Sequence, residues 1–131
     1  VADLVSTGLP SASADIVTGA YAIRLAAPVE AALAEAARLL RPGGTAAFLE
    51  FARPVSPAGW RLEMTLLRLW GATWGRLIHG RGGVYTYIPE TLEHFPNRVQ
   101  LRRMFAAAGF SDIRRRSCFF GVMDLWTLRR N

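Results

Sequence analysis

The sequence has a single cysteine, no lysine and no long uncharged apolar run. Cys118 stands alone among 131 residues, which excludes an intramolecular disulfide and a cysteine-based metal site. Disulfide-free chains are typical of reducing compartments, so we expect a cytoplasmic location. No uncharged stretch is long enough to span a bilayer. His79 and His94 lack metal-binding partners at a usable spacing, and we expect no metal site.

All sixteen basic residues are arginine, and with ten acidic residues they give a net charge of +6. Arginine in place of lysine throughout is typical of a GC-rich genome, although arginine also binds carboxylates, phosphates and flat rings well. The positive charge favours an anionic surface or ligand. No basic stripe with interleaved aromatic residues forms a recognisable nucleic-acid motif, so we do not expect a nucleic-acid partner.

A strand–helix–strand pattern occupies residues 15–51. Residues 15–20 and 45–51 are short apolar strands, and residues 28–40 carry apolar side chains at helical spacing. Pro42 and Gly43 are expected to end the helix, with Gly43 in the left-handed conformation. Such a βαβ unit predicts an α/β fold with parallel strands.

The carboxyl ends of parallel strands are where open α/β sheets bind ligands. The predicted ligand edge therefore comprises Ala20–Arg24 and Glu50–Pro54. A doubly wound nucleotide-binding fold also needs a first strand and a glycine-rich turn, and neither is found ahead of the βαβ unit. We expect residues 1–131 to be the C-terminal part of one domain that lacks its N-terminal strands.

The remaining sequence predicts helices, one extended segment and a closing strand pair. These are a helix over 59–79, an extended segment over 85–89, a helical turn over 90–94, a helix from residue 97 or 98 to 108, and strands over 111–120 and 122–128. Because only Gly121 separates the last two strands, we expect them to pair antiparallel.

The 59–79 helix has an apolar face and an arginine face. Its apolar face is predicted to contain Trp60, Met64, Leu67, Trp74 and Ile78, opposite Arg61, Arg68 and Arg76. This pattern suits peripheral contact with a membrane surface through Trp60–Ile78. A lid or core helix with a solvated arginine edge is the commoner structure for the same pattern.

Several sequence motifs follow one another in a distinctive order. An Arg-Pro-Gly-Gly run at Arg41–Gly44 precedes Leu-Glu-Phe within Leu49–Pro54. A Tyr-x-Tyr element follows, with Tyr85, Tyr87, Ile88, Glu90, Thr91, Phe95 and Pro96. Further elements are Leu9-Pro10, Tyr21–Leu25, Ala108–Phe110 and Gly121–Trp126. In this order they resemble the motifs of the UbiE-type family of ubiquinone and menaquinone biosynthesis C-methyltransferases. The first two elements are shared by many methyltransferases, and the Tyr-x-Tyr element is more specific to this family.

The resemblance implies a Rossmann-like class I methyltransferase fold and methyl transfer from S-adenosylmethionine to a ring carbon of a polyprenylated quinol precursor. The methyl acceptor is then a lipophilic small molecule. Leu25 replaces the family's asparagine and Trp126 its closing histidine, which leaves another small phenolic substrate open.

The resemblance also assigns roles along the predicted ligand edge. Asp3 and Leu4 are expected beside the adenine of the cofactor, and Ala20 and Tyr21 beside its methionine part. Arg24 is the expected catalytic residue, orienting the ring and stabilising a phenolate. The alternative for Arg24 is a structural salt bridge, to Glu50 or Glu30.

Tyr85, Tyr87 and Trp126 are the expected substrate-binding residues. In an extended segment the two tyrosines face opposite ways, so only one of them would line the ring pocket.

A different hypothesis makes the chain a non-catalytic remnant or accessory half that needs a partner chain. In either case we expect the isolated chain to be inactive. The oligomeric state does not follow from the sequence.

Overall fold

Strands β1 (Ala14–Ala20) and β2 (Leu40–Phe51) lie side by side and run parallel, joined by helix α1 (Val29–Leu39). The computed structural model describes residues 3–131. The βαβ unit expected from the sequence is confirmed. It brings the carboxyl ends of β1 and β2 to the same edge of the sheet.

The junction between α1 and β2 differs from the prediction. The helix ends at Leu39, and the extended Leu40 already pairs with Ala14. Leu40 is completely buried, so burying its side chain ends the helix before the glycines are reached. Gly43 does adopt a φ of +75°, but within β2 rather than at the helix end. The register then shifts between Ala14 and Ile16.

Two antiparallel strands complete a four-stranded sheet. Helix α2 (Pro57–His79), helix α3 (Tyr87–His94) and helix α4 (Arg98–Ala107) precede β3 (Phe110–Cys118) and β4 (Met123–Arg130). The strand order is β1-β2-β4-β3, with β4 antiparallel to both of its neighbours. The predicted antiparallel pair is confirmed.

The described residues form two compact units, which we call the sheet unit (residues 3–52 and 99–131) and the helical unit (Arg53–Arg98). The sheet unit is built around aromatic contacts between the strands and α4. The ring of Phe105 stacks 6.2 Å from Phe48 and lies 5.3 Å from Trp126. The buried residues of α1 include Ala32 and Leu33.

The segment ahead of β1 is attached to α1 through a glutamate–arginine pair. Glu35 accepts hydrogen bonds from the amide and hydroxyl groups of Thr7, at 2.9 and 2.6 Å. Arg38 bonds Glu35 at 2.6 Å and donates to the carbonyl of Leu9 at 2.7 Å and the hydroxyl of Ser11 at 2.8 Å.

Within the helical unit, α2 has defined ends. Ser56 caps its first turn by accepting the amide of Gly59, and Pro57 occupies the first turn, where a missing N–H costs nothing. Gly80, at a φ of +66°, closes the helix by donating to the carbonyl of Arg76. The predicted helix over 59–79 is confirmed.

The predicted extended segment over 85–89 is wrong. Turns precede Tyr87, and α3 begins there. Pro89 lies in the first turn of α3, where proline is tolerated, and Thr86 donates from its amide and hydroxyl to the carbonyl of Gly83. The two tyrosines therefore do not alternate along a strand.

Across residues 3–131, none of the helices combines the length and the apolar character that crossing a bilayer requires. The same part of the chain contains no group of histidine, cysteine or acidic side chains arranged to hold a metal ion.

Candidate active site at the carboxyl ends of β1 and β2

The chain leaves β1 through a strained turn at Tyr21. Tyr21 has a φ of +56°, a left-handed conformation that costs a non-glycine residue roughly 1–2 kcal/mol. Its amide donates to the carbonyl of Leu49 at 2.9 Å, and its hydroxyl donates to the sulfur of Met123 at 3.6 Å. Strain of this kind is concentrated at functional sites.

Arg24 lies on the 3-10 turn that follows β1 (Ile23–Leu25), and only 7% of it is exposed. Its guanidinium carbon is 5.5 Å from the centre of the Phe51 ring, within the range of a cation–π contact. The ring of Tyr21 is also 5.5 Å from that of Phe51. The structure thus brings Tyr21 and Arg24 together beside the end of β2.

Glu50, the penultimate residue of β2, is completely buried at this edge. Its Oε1 accepts the amide of Ile23 at 2.9 Å. Burial raises the pKa of Glu50 to about 7, against the opposing effects of the backbone amides of Ile23 and Arg24 and the positive charge of Arg24. The carboxyl group therefore changes charge near neutral pH.

A second buried carboxyl group lies beside Glu50 on the neighbouring strand β4. Asp124 is the partner of Glu50 in the β2–β4 ladder and is 1% exposed. It forms an ion pair with Arg115 of β3 at 2.8 Å. Directly opposed positions in a ladder have their side chains on one face, so this end of the sheet holds two carboxylates and two guanidinium groups.

The other residues expected to bind the cofactor lie in the sheet unit. Asp3 is exposed, and its carboxylate accepts the amide of Val5 at 3.0 Å within a turn closed by a hydrogen bond from Ser6 to the carbonyl of Asp3. Leu4 is half-buried in that turn. Ala20 is exposed at the carboxyl end of β1.

Trp126 is placed differently from the sequence expectation. Only 2% of the residue is exposed, and its ring packs against Phe105 in the core of the sheet unit. The resemblance assigned Trp126 to the substrate, but its surroundings are those of a core residue. A large aromatic ring in the middle of β4 fills the space over α4, which explains its burial.

Tyr85 contacts neighbouring side chains of α2, whereas Tyr87 is exposed. The Tyr85 hydroxyl is 3.2 Å from Nε2 of His79, and its ring lies 5.8 Å from that of Trp70. Tyr87 at the start of α3 is exposed. Both residues belong to the helical unit, and Tyr85 is held there by α2.

The sequence reasoning missed Phe119 and Phe120. It placed them at the end of a strand, but β3 ends at Cys118, and both phenylalanines lie exposed in the short turn that leads to β4, with φ values of +48° and +56°. Cys118 and Phe51 both pair with Met123, so this turn lies at the end of the sheet where β2 finishes. The two adjacent phenylalanines before Gly121 were the sequence feature that could have indicated this turn.

Comparison with known proteins identifies the family. The model of the ubiE/COQ5 methyltransferase family matches residues 5–128. The chain belongs to this family. The resemblance found in the sequence motifs is thereby confirmed, and the family's match includes the whole edge formed by Ala20, Tyr21, Arg24 and Glu50.

Two relatives of this ubiE/COQ5 family member are named demethylmenaquinone methyltransferase. The protein of Deinococcus radiodurans is 38% identical over 129 residues, which cover 95% of this chain and 51% of the relative. That of Thermus thermophilus is 39% identical over 121 residues, covering 92% and 54%. The chain thus spans about half the length of the curated relatives it matches.

Solved structures confirm the fold. The structure described as PigF with SAH superimposes with a TM-score of 0.65 at 16% identity, covering 99% of this chain and 34% of PigF. The CurJ carbon methyltransferase gives a TM-score of 0.62 at 17% identity, covering 97% and 33%. The predicted class I methyltransferase fold is therefore confirmed.

Proposed function

We propose that this chain is the C-terminal part of an S-adenosylmethionine-dependent C-methyltransferase that acts on a polyprenylated quinol precursor. Membership of the ubiE/COQ5 family and the names of its relatives support the substrate class. The observation that carries the proposal is the cluster of Tyr21, Arg24 and Glu50 at the carboxyl ends of two parallel strands, the edge where open α/β sheets bind their ligands.

The residues at this edge suit the cofactor. Ala20 presents only a methyl group at the exposed end of β1, which leaves room for the methionine part beside Tyr21. Asp3 and Leu4 are assigned to the adenine. When bound, S-adenosylmethionine supplies an electrophilic methyl group, and transfer needs in-line alignment rather than a metal ion.

Arg24 is assigned the orientation of the ring and the stabilisation of its phenolate. A guanidinium group stays protonated in proteins, so Arg24 does not act as a base. A preorganised positive charge beside a developing anion favours the transition state. The ring of Phe51 under the guanidinium restricts its position.

A lipophilic substrate is consistent with the exposed apolar residues. Phe119 and Phe120 present aromatic surface at the end of the sheet where β2 finishes. Of the two tyrosines assigned to the substrate, the exposed Tyr87 is available to a ring, whereas Tyr85 is engaged by His79. Leu25, where the family has asparagine, is exposed. A different phenolic substrate would be selected by the side chain at this position.

A methyl-transfer assay on the complete gene product tests this function. Purified protein is incubated with methyl-labelled S-adenosylmethionine and a demethylated naphthoquinol, a demethylated benzoquinol or a catechol. We expect label on a ring carbon of a quinol. Label on the catechol alone would identify a different phenolic substrate. A folded protein that labels none of the three would favour the accessory-half hypothesis.

Peripheral membrane contact through α2 is the second part of the proposal, and the exposed leucines of α2 favour a face other than the expected one. Of the predicted apolar face, Met64 is buried, whereas Trp74 and Ile78 are exposed. A separate row of exposed leucines follows helical spacing along α2. We call it the leucine stripe; it consists of Leu62, Leu66, Leu69 and Leu77.

The charge on α2 supports an anionic lipid surface as the partner of the leucine stripe. The only acidic residue between Pro57 and His79 is Glu63, which is buried. Arg76 lies next to Leu69 on the helical wheel, and Arg61 and Arg68 lie further round the same side. All three are exposed, and Arg68 forms an ion pair with Glu93 at 2.7 Å. Apolar side chains beside cationic ones are typical of helices that lie in a membrane interface.

Vesicle co-sedimentation tests this contact. We expect the complete protein to pellet with vesicles that contain phosphatidylglycerol, and the Leu66→Gln/Leu69→Gln variant to lose most of this binding. Val99→Gln, which alters an exposed apolar residue on α4, is the matched control and should bind as the unaltered protein does. Equal pelleting of both variants would contradict a role for the leucine stripe.

A further inference from the structure

Glu50 connects the end of β2 with the Ile23–Leu25 turn, two segments whose relative position matters for the proposed reaction. Its Oε1 bonds the amide of Ile23, 27 residues earlier in the chain, and so attaches the end of β2 to the turn that carries Arg24. Among the residues that the structure describes, its Oε2 has no hydrogen-bond partner. A carboxylate buried in this way is strongly affected by nearby charges.

The charged and titratable groups around Glu50 come from each neighbouring element of the sheet edge. Arg24 approaches from the 3-10 turn, Asp124 from β4, and Arg115 from β3 through its ion pair with Asp124. Tyr21 lies at the start of the turn. Because Arg115 is engaged by Asp124, Arg24 is the cation that interacts with Glu50.

We propose that Glu50 is a positioning residue for methyl transfer, whose negative charge holds the Ile23–Leu25 turn and the guanidinium of Arg24 in the arrangement that the reaction requires. This inference rests on the proposed function and adds a residue to it. Glu50 itself does not touch the substrate, because it is completely buried. It acts through the amide of Ile23 and the charge of Arg24.

A dependence of activity on pH follows from this arrangement. The pKa of Glu50 is raised to about 7, so its carboxylate is mostly protonated at pH 6 and mostly ionised at pH 8. Protonation removes the charge that attracts Arg24. Since the ionised fraction rises about tenfold between those two pH values, the contribution of Glu50 to turnover should rise by a similar factor.

Kinetics of the Glu50→Gln variant test the proposal in the complete protein. Glutamine keeps an oxygen that accepts the Ile23 amide, replaces the unpartnered Oε2 by an amide nitrogen and removes the charge. We expect the ratio of wild-type kcat to variant kcat to rise about tenfold from pH 6 to pH 8. The substrate ionises in the same way in both assays, so its ionisation does not affect this ratio of kcat values. Asp112→Asn, which neutralises an exposed acid at the opposite end of the sheet, is the control and should give a ratio near 1 throughout.

A double-mutant cycle with Arg24 separates positioning from a general structural role. If Glu50 acts through Arg24, Glu50→Gln should have little further effect on kcat in an Arg24→Ala background. Additive losses, or a kcat ratio that does not change with pH, would overturn the proposal. Circular dichroism of each variant establishes that the protein remains folded.

Nuclear magnetic resonance gives a readout that does not depend on the methyl acceptor. The backbone amide signals of Ile23 and Arg24 should shift with a midpoint near pH 7 in the wild type and in Asp112→Asn, but not in Glu50→Gln. Amides that do not titrate would overturn the proposal. If no quinol is methylated but the amides titrate as expected, the proposed function has failed and the positioning of the turn by Glu50 stands.

Discussion

Two buried glutamates in the sheet unit show how surroundings determine the behaviour of a carboxyl group. Desolvation of the buried Glu50 outweighs the backbone amides and the charge of Arg24, and its pKa is raised to about 7. Glu35 receives hydrogen bonds first from Arg38 and then from Thr7, and these lower its pKa far below the usual range. The first residue changes charge near neutral pH, whereas the second stays ionised and holds the leading segment on α1.

Glu35 should therefore stabilise the fold in a pH-dependent manner. Its pKa is lower in the folded than in the unfolded chain, so its contribution is present above the unfolded pKa, about 4.3, and is lost as the pH falls below it. We expect Glu35→Gln to lower the urea midpoint at pH 7 and to differ less from wild type at pH 3.5. Glu30→Gln on the same helix is the control. A difference that does not depend on pH would contradict the account.

At the scale of elements, two glycines determine how α2 packs. A Cβ on Gly71 would lie 3.1 Å from the Cβ of Tyr85, and one on Gly75 would lie 2.6 Å from the carbonyl oxygen of Arg81. Both glycines are buried on one side of α2. They let the segment after Gly80 return closely along the helix.

Gly75→Ala should destabilise the helical unit. Alanine normally improves a helix by up to about 1 kcal/mol, but here its methyl group meets a backbone carbonyl, and overpacking costs about 1–3 kcal/mol. Thermal unfolding and limited proteolysis of the 81–85 segment measure the effect. Gly83→Ala, where nothing lies within 4 Å of the added carbon, should be nearly neutral. Increased stability of Gly75→Ala would contradict this packing.

The presence of helices and strands was predicted better than the side of each helix that is buried or the residues at which one element meets the next. The helix predicted over 59–79 starts within two residues of the observed start of α2 at Pro57 and ends at the same residue. Its buried side was not predictable from periodicity, because apolar residues cover more than one face; Gly71 and Gly75 decide it. Likewise, the start of α3 at Tyr87 was not predictable, because Pro89 is compatible both with an extended segment and with the first turn of a helix.

At the scale of the whole molecule, the parallel arrangement of β1 and β2 is what assembles the candidate site. The rule for parallel strands predicted that Ala20–Arg24 and Glu50 would share an edge, and they do. The hydrogen bond from Ile23 to Glu50 and the left-handed Tyr21 were not predictable, since both depend on how the chain turns after β1. The burial of Trp126 against Phe105 was not predictable either, because a motif position does not show which face of the sheet it occupies.

The sheet also has an open side at β1. This strand lies at the edge of the sheet, and Ile16 is 67% exposed in it. An apolar residue on an unpaired edge strand favours contact with further protein. Together with a length about half that of its relatives, this supports the proposal that the complete enzyme adds strands beside β1.

The most direct test of the central claim compares turnover and cofactor affinity in an Arg24→Ala variant of the complete protein. We predict that kcat for a quinol acceptor falls on the order of 100-fold, because a charge that stabilises the phenolate is lost. The Kd for S-adenosylmethionine, measured by isothermal titration, should stay nearly unchanged, because Ala20 and Tyr21 are intact. An equal loss of cofactor binding, or unchanged turnover, would contradict the assignment of this edge as the site of methyl transfer.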